Sequence, residues 1–119
     1  MSIASRRFVI LHHVGCERPH WDFLLEQEDA LATWRLYQDP LGGGKELFRI
    51  QDHRKMYLDY EGPIQGSRGE VSRVCAGTYE LLEYNSQLWG VRLASDGLAG
   101  RFELRLQEDN RWVMAKVGE

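Results

Sequence analysis

The 119-residue chain is poor in several features that would fix a function class outright. No apolar run approaches the roughly 18 residues of a membrane span. Residues 1–7 lack the uninterrupted apolar stretch and small-residue cleavage site of a secretory signal, so a soluble, cytoplasmic protein is expected. Cysteine is scarce. Cys16 and Cys75 are the only two, and a chain of this size folds without a bridge, so both are expected as reduced thiols. An excess of cations is missing too: the formal charge is −3, which argues against a broad cationic face that coats nucleic acid. Recognising one phosphate or one strand end needs only a few local cations. Arg6, Arg7, Arg54, Lys55, Arg68 and Arg73 are available, although scattered cations are ordinarily solvated surface.

Familiar catalytic signatures are absent as well. No serine sits in a nucleophile elbow, neither cysteine has a triad around it, and no isolated carboxylate pair suggests a glycosidase. The segment Gly42-Gly-Gly-Lys45 lacks the spacer between glycines and the Ser/Thr after lysine that a phosphate loop requires.

What the chain does have is short alternating segments. Residues 7–13 read as a buried strand, with Val9, Leu11 and His13 on one face and Phe8, Ile10 and His12 on the other. Strand patterns follow at 20–26, 31–37, 46–51, 70–75, 77–83, 88–94, 100–106 and 112–116, with 52–60 as a short helical turn or irregular segment. Loops fall at 14–19, 39–44 and the Gly-rich 61–69, and the pair 70–75 and 77–83 is expected to be joined at Ala76-Gly77. About eight short strands and no long amphipathic helix predict an all-β protein: one domain over 1–119, a compact closed or nearly closed antiparallel barrel with short helical turns. Four Trp, five Tyr and four Phe supply its core.

Three of the four histidines gather beside acidic and phenolic groups. In an extended segment His20 and Asp22 point one way and Trp21 the other. His13 lies just across the loop, and His53 and Tyr57 stand one helical turn apart if 52–60 turns. Imidazole and carboxylate together suit manganese, zinc or iron, and they also position phosphates and shuttle protons. Cys16, between His13 and His20, is either a loop cysteine without a role or an extra soft ligand that biases the site toward zinc. His12 has the wrong parity to join His13.

The same residues carry a resemblance. Phe8-Val-Ile-Leu-His-His13, His20-Trp-Asp-Phe-Leu-Leu-Glu26, Thr33-Trp34, Gln51-Asp-His-Arg-Lys-Met-Tyr57, Tyr60-Glu-Gly-Pro-Ile64, Gly77-Thr78, Gly100-Arg-Phe-Glu-Leu104 and Trp112-Val-Met-Ala-Lys116 occur in order along nearly the whole chain. That series resembles the 3′-phosphoesterase domain of bacterial DNA ligase D and its free-standing relatives. The resemblance implies a compact β-barrel and a Mn²⁺-dependent site that trims 3′ ends in DNA repair, removing a terminal ribonucleoside and then the 3′-phosphate. It implies His13, His20 and Asp22 as metal ligands, and His53 and Tyr57 as the groups at the scissile phosphate.

The chain also departs from that family. Leu24 stands where the family has an arginine, Gln51 replaces a glutamate, Lys45 falls at a second arginine position and Gln38 roughly at a lysine. The loop before His20 is one residue longer and the Gly66–Gly69 loop is shorter. Losing a charge-assisted phosphate contact typically costs about 1.5–3 kcal/mol. Lys45, with Arg49 on the same strand parity, is expected to supply charge instead, and Gln51 to take part in phosphate binding. The expected activity is a metal-dependent phosphoesterase (Mn²⁺, with Zn²⁺ or another divalent metal as alternatives) acting on a nucleic-acid 3′ end or small phosphate ester. It is expected to be a monomer, with a separately encoded ligase or polymerase as partner and no membrane association. The rival reading is a non-catalytic metal-containing module that binds strand ends or a repair partner, and a third is a barrel that holds no metal.

Overall fold

The alternating segments become β-strands in the computed structural model, which describes residues 6–43 and 45–118. The described strands are β1 (Arg6–Val14), β2 (His20–Glu26), β3 (Leu31–Leu36), β4 (Glu46–His53), β5 (Gly62–Pro63), β6 (Glu70–Asn85), β7 (Leu88–Ala94), β8 (Gly100–Glu108) and β9 (Arg111–Lys116). Short 3-10 turns at Pro40–Gly42 and Lys55–Leu58 are the helical elements among these residues. The sheet runs β1-β2-β3-β4-β9-β8-β7-β6, and β6 returns to pair with β1. Every pairing is antiparallel, so eight strands close into a barrel, as the strand spacing predicts. The two-residue β5 pairs with the start of β6 outside that ring.

One expectation about the strands is corrected. Segments 70–75 and 77–83 are a single strand, because Ala76 and Gly77 stay extended and pair with Val9 and Phe8 of β1. Glycine at 77 marks a close approach instead of a break: a Cβ there would lie 2.0 Å from the Ala94 carbonyl oxygen. At this corner β6 passes from pairing with β1 to pairing with β7.

The barrel interior is built around Trp34, which is fully buried. Its ring meets Trp89 and Trp112 edge-on, with centroids 5.0 and 5.7 Å apart. Such pairs are each worth about 0.5–1.5 kcal/mol beyond area burial. Phe8, Ile10, Phe23 and Leu25 reach into this interior from β1 and β2. Their neighbours Val9, Leu11 and Leu24 face outward, yet they too are buried, in a second cluster with Leu31, Leu58 and Val71. That cluster lies beneath Tyr57, Tyr60 and Ile64, so this part of the sheet is covered on both faces. Double coverage is the physical reason Phe8-Val-Ile-Leu11 reads as a continuous apolar run.

Polar latches hold the covering segment in place. Arg7 pairs with Asp59 at 2.6 Å, Lys55 with Glu26 at 3.2 Å, and Arg73 donates to the Leu58 carbonyl at 3.2 Å. The free cysteines are Cys16, half-buried, and Cys75, buried with its sulfur 3.2 Å from the Ser95 hydroxyl.

Candidate functional site

Asp22 is the fixed point of the site. β2 alternates faces, so Trp21 and Phe23 pack on the barrel interior while Asp22 points outward with His20 and Leu24. Although outward, the Asp22 carboxylate is nearly sealed, at 3% exposure. Its Oδ1 accepts from Nε of Arg35, directly opposite on β3, at 3.1 Å. Its Oδ2 lies 3.7 Å from Nε2 of His20 and 3.7 Å from Nε2 of His53. Burial pushes the Asp22 carboxyl up, but the contacts of His53 and Arg35 and the charges of Arg35 and His20 outweigh it and hold the group below its ordinary value.

The histidines are oriented by the backbone. Nδ1 of His20 is 2.9 Å from the Arg18 carbonyl oxygen. A carbonyl only accepts, so this nitrogen carries the proton and Nε2 carries the lone pair. That Nε2 is buried and has no hydrogen-bond partner. Burial, reinforced by the charges of Arg35 and His13, lowers the His20 pKa against the Arg18 carbonyl and Asp22, which raise it. His13 repeats the arrangement: its Nε2 is 2.7 Å from the Arg68 carbonyl oxygen, which leaves the Nδ1 lone pair free. His53 completes it, with Nδ1 3.2 Å from the Thr33 hydroxyl and 3.3 Å from the Gln51 carbonyl. Thr33 donates its own proton to the Leu31 carbonyl, so it accepts from His53.

Imidazoles with one N–H tied to a carbonyl turn their other nitrogen toward the site, and beside an ionised carboxylate this is the arrangement of ligands that metal sites use. Donor atoms about 2.1 Å from one ion lie about 3–3.5 Å from each other. The 3.7 Å between His20 Nε2 and Asp22 Oδ2 is close to that spacing. One donor atom each from His13, Cys16 and His20 also lies within 4.8 Å of the others. His20 Nε2 and Asp22 Oδ2 therefore fit a shared divalent ion, with His13 and Cys16 as the donors grouped with His20, and the orphaned Nε2 of His20 is the atom such an ion would satisfy.

Two loops set this geometry. Gly15 and Gly69 pack backbone to backbone, with φ of +75° and +91°. A Cβ on Gly69 would lie 2.1 Å from the Val14 carbonyl oxygen, so the contact excludes a side chain there. This brings the Arg68 carbonyl to His13. Arg18 lies over the Tyr37 ring, 3.6 Å from its centroid, and holds down the other loop.

A cavity of about 300 Å³ opens beside Asp22. It is lined by Leu11, His13, Asp22, Arg35, residues 51–54, Tyr57, Ile64, Arg68 and Val71. Three arginines face two aspartates there, one net positive charge in a protein whose formal charge is −3. Arg54 has no carboxylate partner among the described residues. The His53 and Tyr57 rings stand 5.7 Å apart at its rim.

Of the residues anticipated from the sequence, His13, Asp22, Gln51, His53 and Tyr57 line this cavity, and His20 is buried beside Asp22. Lys45 and Arg49 are not brought there. Lys45 is exposed just before β4. Arg49 pairs with Trp34 and shares its inward parity, so its guanidinium stacks 4.6 Å from the Trp34 ring and 5.5 Å from Trp89, capping the core. The cations at the cavity are Arg35, Arg54 and Arg68. Arg35 was missed as a site residue; an arginine two residues after the buried Thr33, on its face, was the available signal. His12 lies flat on Trp21 with ring centroids 4.3 Å apart, away from His13 as parity requires.

No family model matches the chain. It is 27% identical over 120 residues to the multifunctional non-homologous end joining protein LigD of Mycobacterium bovis. It is 27% and 26% identical to the multifunctional non-homologous end joining DNA repair protein LigD of two Mycobacterium tuberculosis strains. This chain resembles one segment of LigD. The match covers 92% of the chain and 16% of the LigD sequence, so the chain spans about one sixth of the length of these relatives. About ten residues at most fall outside a match of that coverage, and the LigD similarity therefore takes in every cavity residue from Leu11 to Val71.

Proposed function

We propose that the chain is a metal-dependent phosphoesterase acting on nucleic-acid 3′ ends that carry a ribonucleotide or a phosphate. The observation that carries this reading is the buried, unpartnered Nε2 of His20 beside the Asp22 carboxylate, at the wall of a cavity with net positive charge. The similarity to part of a DNA repair protein supports the substrate class.

His13, His20 and Asp22 would hold the ion, Mn²⁺ being the one the resemblance implies. When bound, a divalent ion polarises a phosphoryl oxygen and acidifies a water. The protein's own groups do the rest. Arg54 and Arg68 bind phosphate oxygens at the cavity rim, while Arg35 keeps Asp22 ionised. His53, oriented through Nδ1 by Thr33 and Gln51, turns Nε2 toward Asp22, and its imidazolium form would give a proton from Nε2 to the leaving oxygen. Tyr57 hydrogen-bonds the phosphate from the other side. The cavity volume is at the lower end of ligand pockets, which run from about 300 to 1,000 Å³, so it suits a terminal sugar phosphate and not a duplex.

The test is incubation with Mn²⁺ and DNA ending in a 3′-ribonucleotide or a 3′-phosphate. Turnover that disappears on chelation and in His20→Ala is expected. No turnover of either end, under conditions in which a ligase D phosphoesterase domain cleaves both, overturns the reading.

Leu24 motivates a second reading, a module that binds strand ends without cleaving them. This residue is fully buried in the outer apolar cluster, so no cation reaches the phosphate from the position where the family has arginine. That reading predicts metal-dependent binding of the same DNAs with the ends left unchanged.

A further inference from the structure

The loop between β1 and β2 carries Cys16, which the metal reading above leaves unused. His13 and His20 form the last cross-strand pair of that hairpin, and Cys16 is on the loop they close. One donor atom from each of the three residues lies within 4.8 Å of the others. Cys16 is half-buried, and its thiol has only long contacts, 3.4 Å to the Arg18 carbonyl and 3.8 Å to that of His13. His20, 5% exposed, holds the same Arg18 carbonyl through Nδ1 and keeps a buried, unpartnered Nε2. The sulfur of Cys16 thus shares the Arg18 carbonyl with His20 and lies beside the donor nitrogens of both histidines.

We propose that Cys16 is a thiolate ligand of the ion held by His13, His20 and Asp22, which makes this centre select zinc over manganese. The inference rests on the metal reading given above and deepens it. Two imidazoles, a carboxylate and a thiolate form a mixed nitrogen, oxygen and sulfur set, and thiolate is the soft ligand that favours zinc. Manganese stands at the weak end of the divalent series and prefers oxygen donors. On binding, the sulfur–metal bond forms and the thiol proton leaves to solvent. Two residues separate Cys16 from His13 and three separate it from His20, so ordinary loop movement suffices for the sulfur to leave its carbonyls and face the ion.

The test uses the purified full chain, stripped of metal and dialysed against equal concentrations of Zn²⁺ and Mn²⁺, with elemental analysis of what is retained. Zinc is expected in excess. Cys16→Ser, on an accessible loop and checked for native circular dichroism, should weaken zinc binding by about tenfold or more while changing manganese binding far less. Cobalt(II) loading should give a near-ultraviolet sulfur-to-metal absorption in the wild type that is missing from Cys16→Ser. Zinc should also slow alkylation of Cys16, with the buried Cys75 as internal reference. Retained metal whose zinc preference is unaffected by Cys16→Ser, or cobalt without the sulfur band, overturns this inference alone. Retention of neither metal overturns it together with the metal reading.

Discussion

Replacing Leu24 by arginine tests how the site is built. If the position were open, Leu24→Arg would simply supply the missing phosphate clamp. Leu24 instead has no exposed surface and packs with Val9, Leu11, Leu31, Leu58 and Val71 beneath the 3-10 turn at Lys55–Leu58. Removing the leucine forfeits about 1.5–3 kcal/mol of burial. An unpaired guanidinium adds several kcal/mol of desolvation, partly relieved if its stem carries the charge toward the cavity. A net loss of about 3–5 kcal/mol follows, against a total stability of roughly 5–15 kcal/mol for a domain. At about 3–6 °C per kcal/mol for a chain of this length, the melting temperature should fall by about 10–30 °C. Leu24→Met, which keeps volume and polarity, should cost less than about 1.5 kcal/mol. Thermal and urea unfolding followed by circular dichroism measure both. If Leu24→Arg melts within a degree or two of the wild type, the outer cluster is not sealed. Any activity measured for Leu24→Arg must accordingly be read on its folded fraction.

Other perturbations address the proposed metal donors, the loops and the latches. At a Mn²⁺ concentration 100 times its dissociation constant, binding stabilises a protein by about 2.7 kcal/mol; a thermal-shift titration should show that gain in the wild type and lose it in Asp22→Asn, and equal shifts in both would remove Asp22 from the ligand set. Gly69→Ala combines a φ of +91° with a Cβ 2.1 Å from a carbonyl oxygen, whereas Gly43→Ala has a φ of +102° in open space. Gly43→Ala should cost about 1–2 kcal/mol and Gly69→Ala clearly more, so equal unfolding midpoints would contradict the loop contact. Burial raises the Glu26 carboxyl, but the Arg7 amide, the Lys55 hydrogen bond and both their charges bring it below its ordinary 4.5. Its contribution is therefore complete above pH 4.5 and is lost as pH falls through the lowered folded value. The melting-temperature gap between wild type and Glu26→Gln should shrink in acid, and a gap constant down to pH 3 would exclude the latch.

Much of the fold was legible because alternation is a local property. Counting faces from Phe8 separates Val9, Leu11 and His13 from Ile10 and His12, and it also separates Asp22 from Trp21. Alternation says nothing about what covers the second face, so the outer cluster and the burial of Leu24 were hidden. A glycine looks like a break in sequence, yet Gly77 lies inside a continuous strand because another strand's carbonyl approaches it. Arg49 was assigned to the phosphate by counting from Lys45, when the informative partner was Trp34 opposite it. The carbonyls of Arg18 and Arg68 orient two histidines as backbone groups, and no side-chain motif records them.

The contact between Gly15 and Gly69 has a consequence for anyone transplanting this centre. The proposed donors His13, Cys16 and His20 sit on one hairpin, which invites treating that hairpin as a portable cassette. Its geometry is set from outside: Gly69 fixes the turn at Gly15, and the next residue back in the chain supplies the carbonyl that orients His13. The smallest graft that preserves the chemistry is a pair of loops some fifty residues apart in sequence, and insertions in either have to be matched by the other.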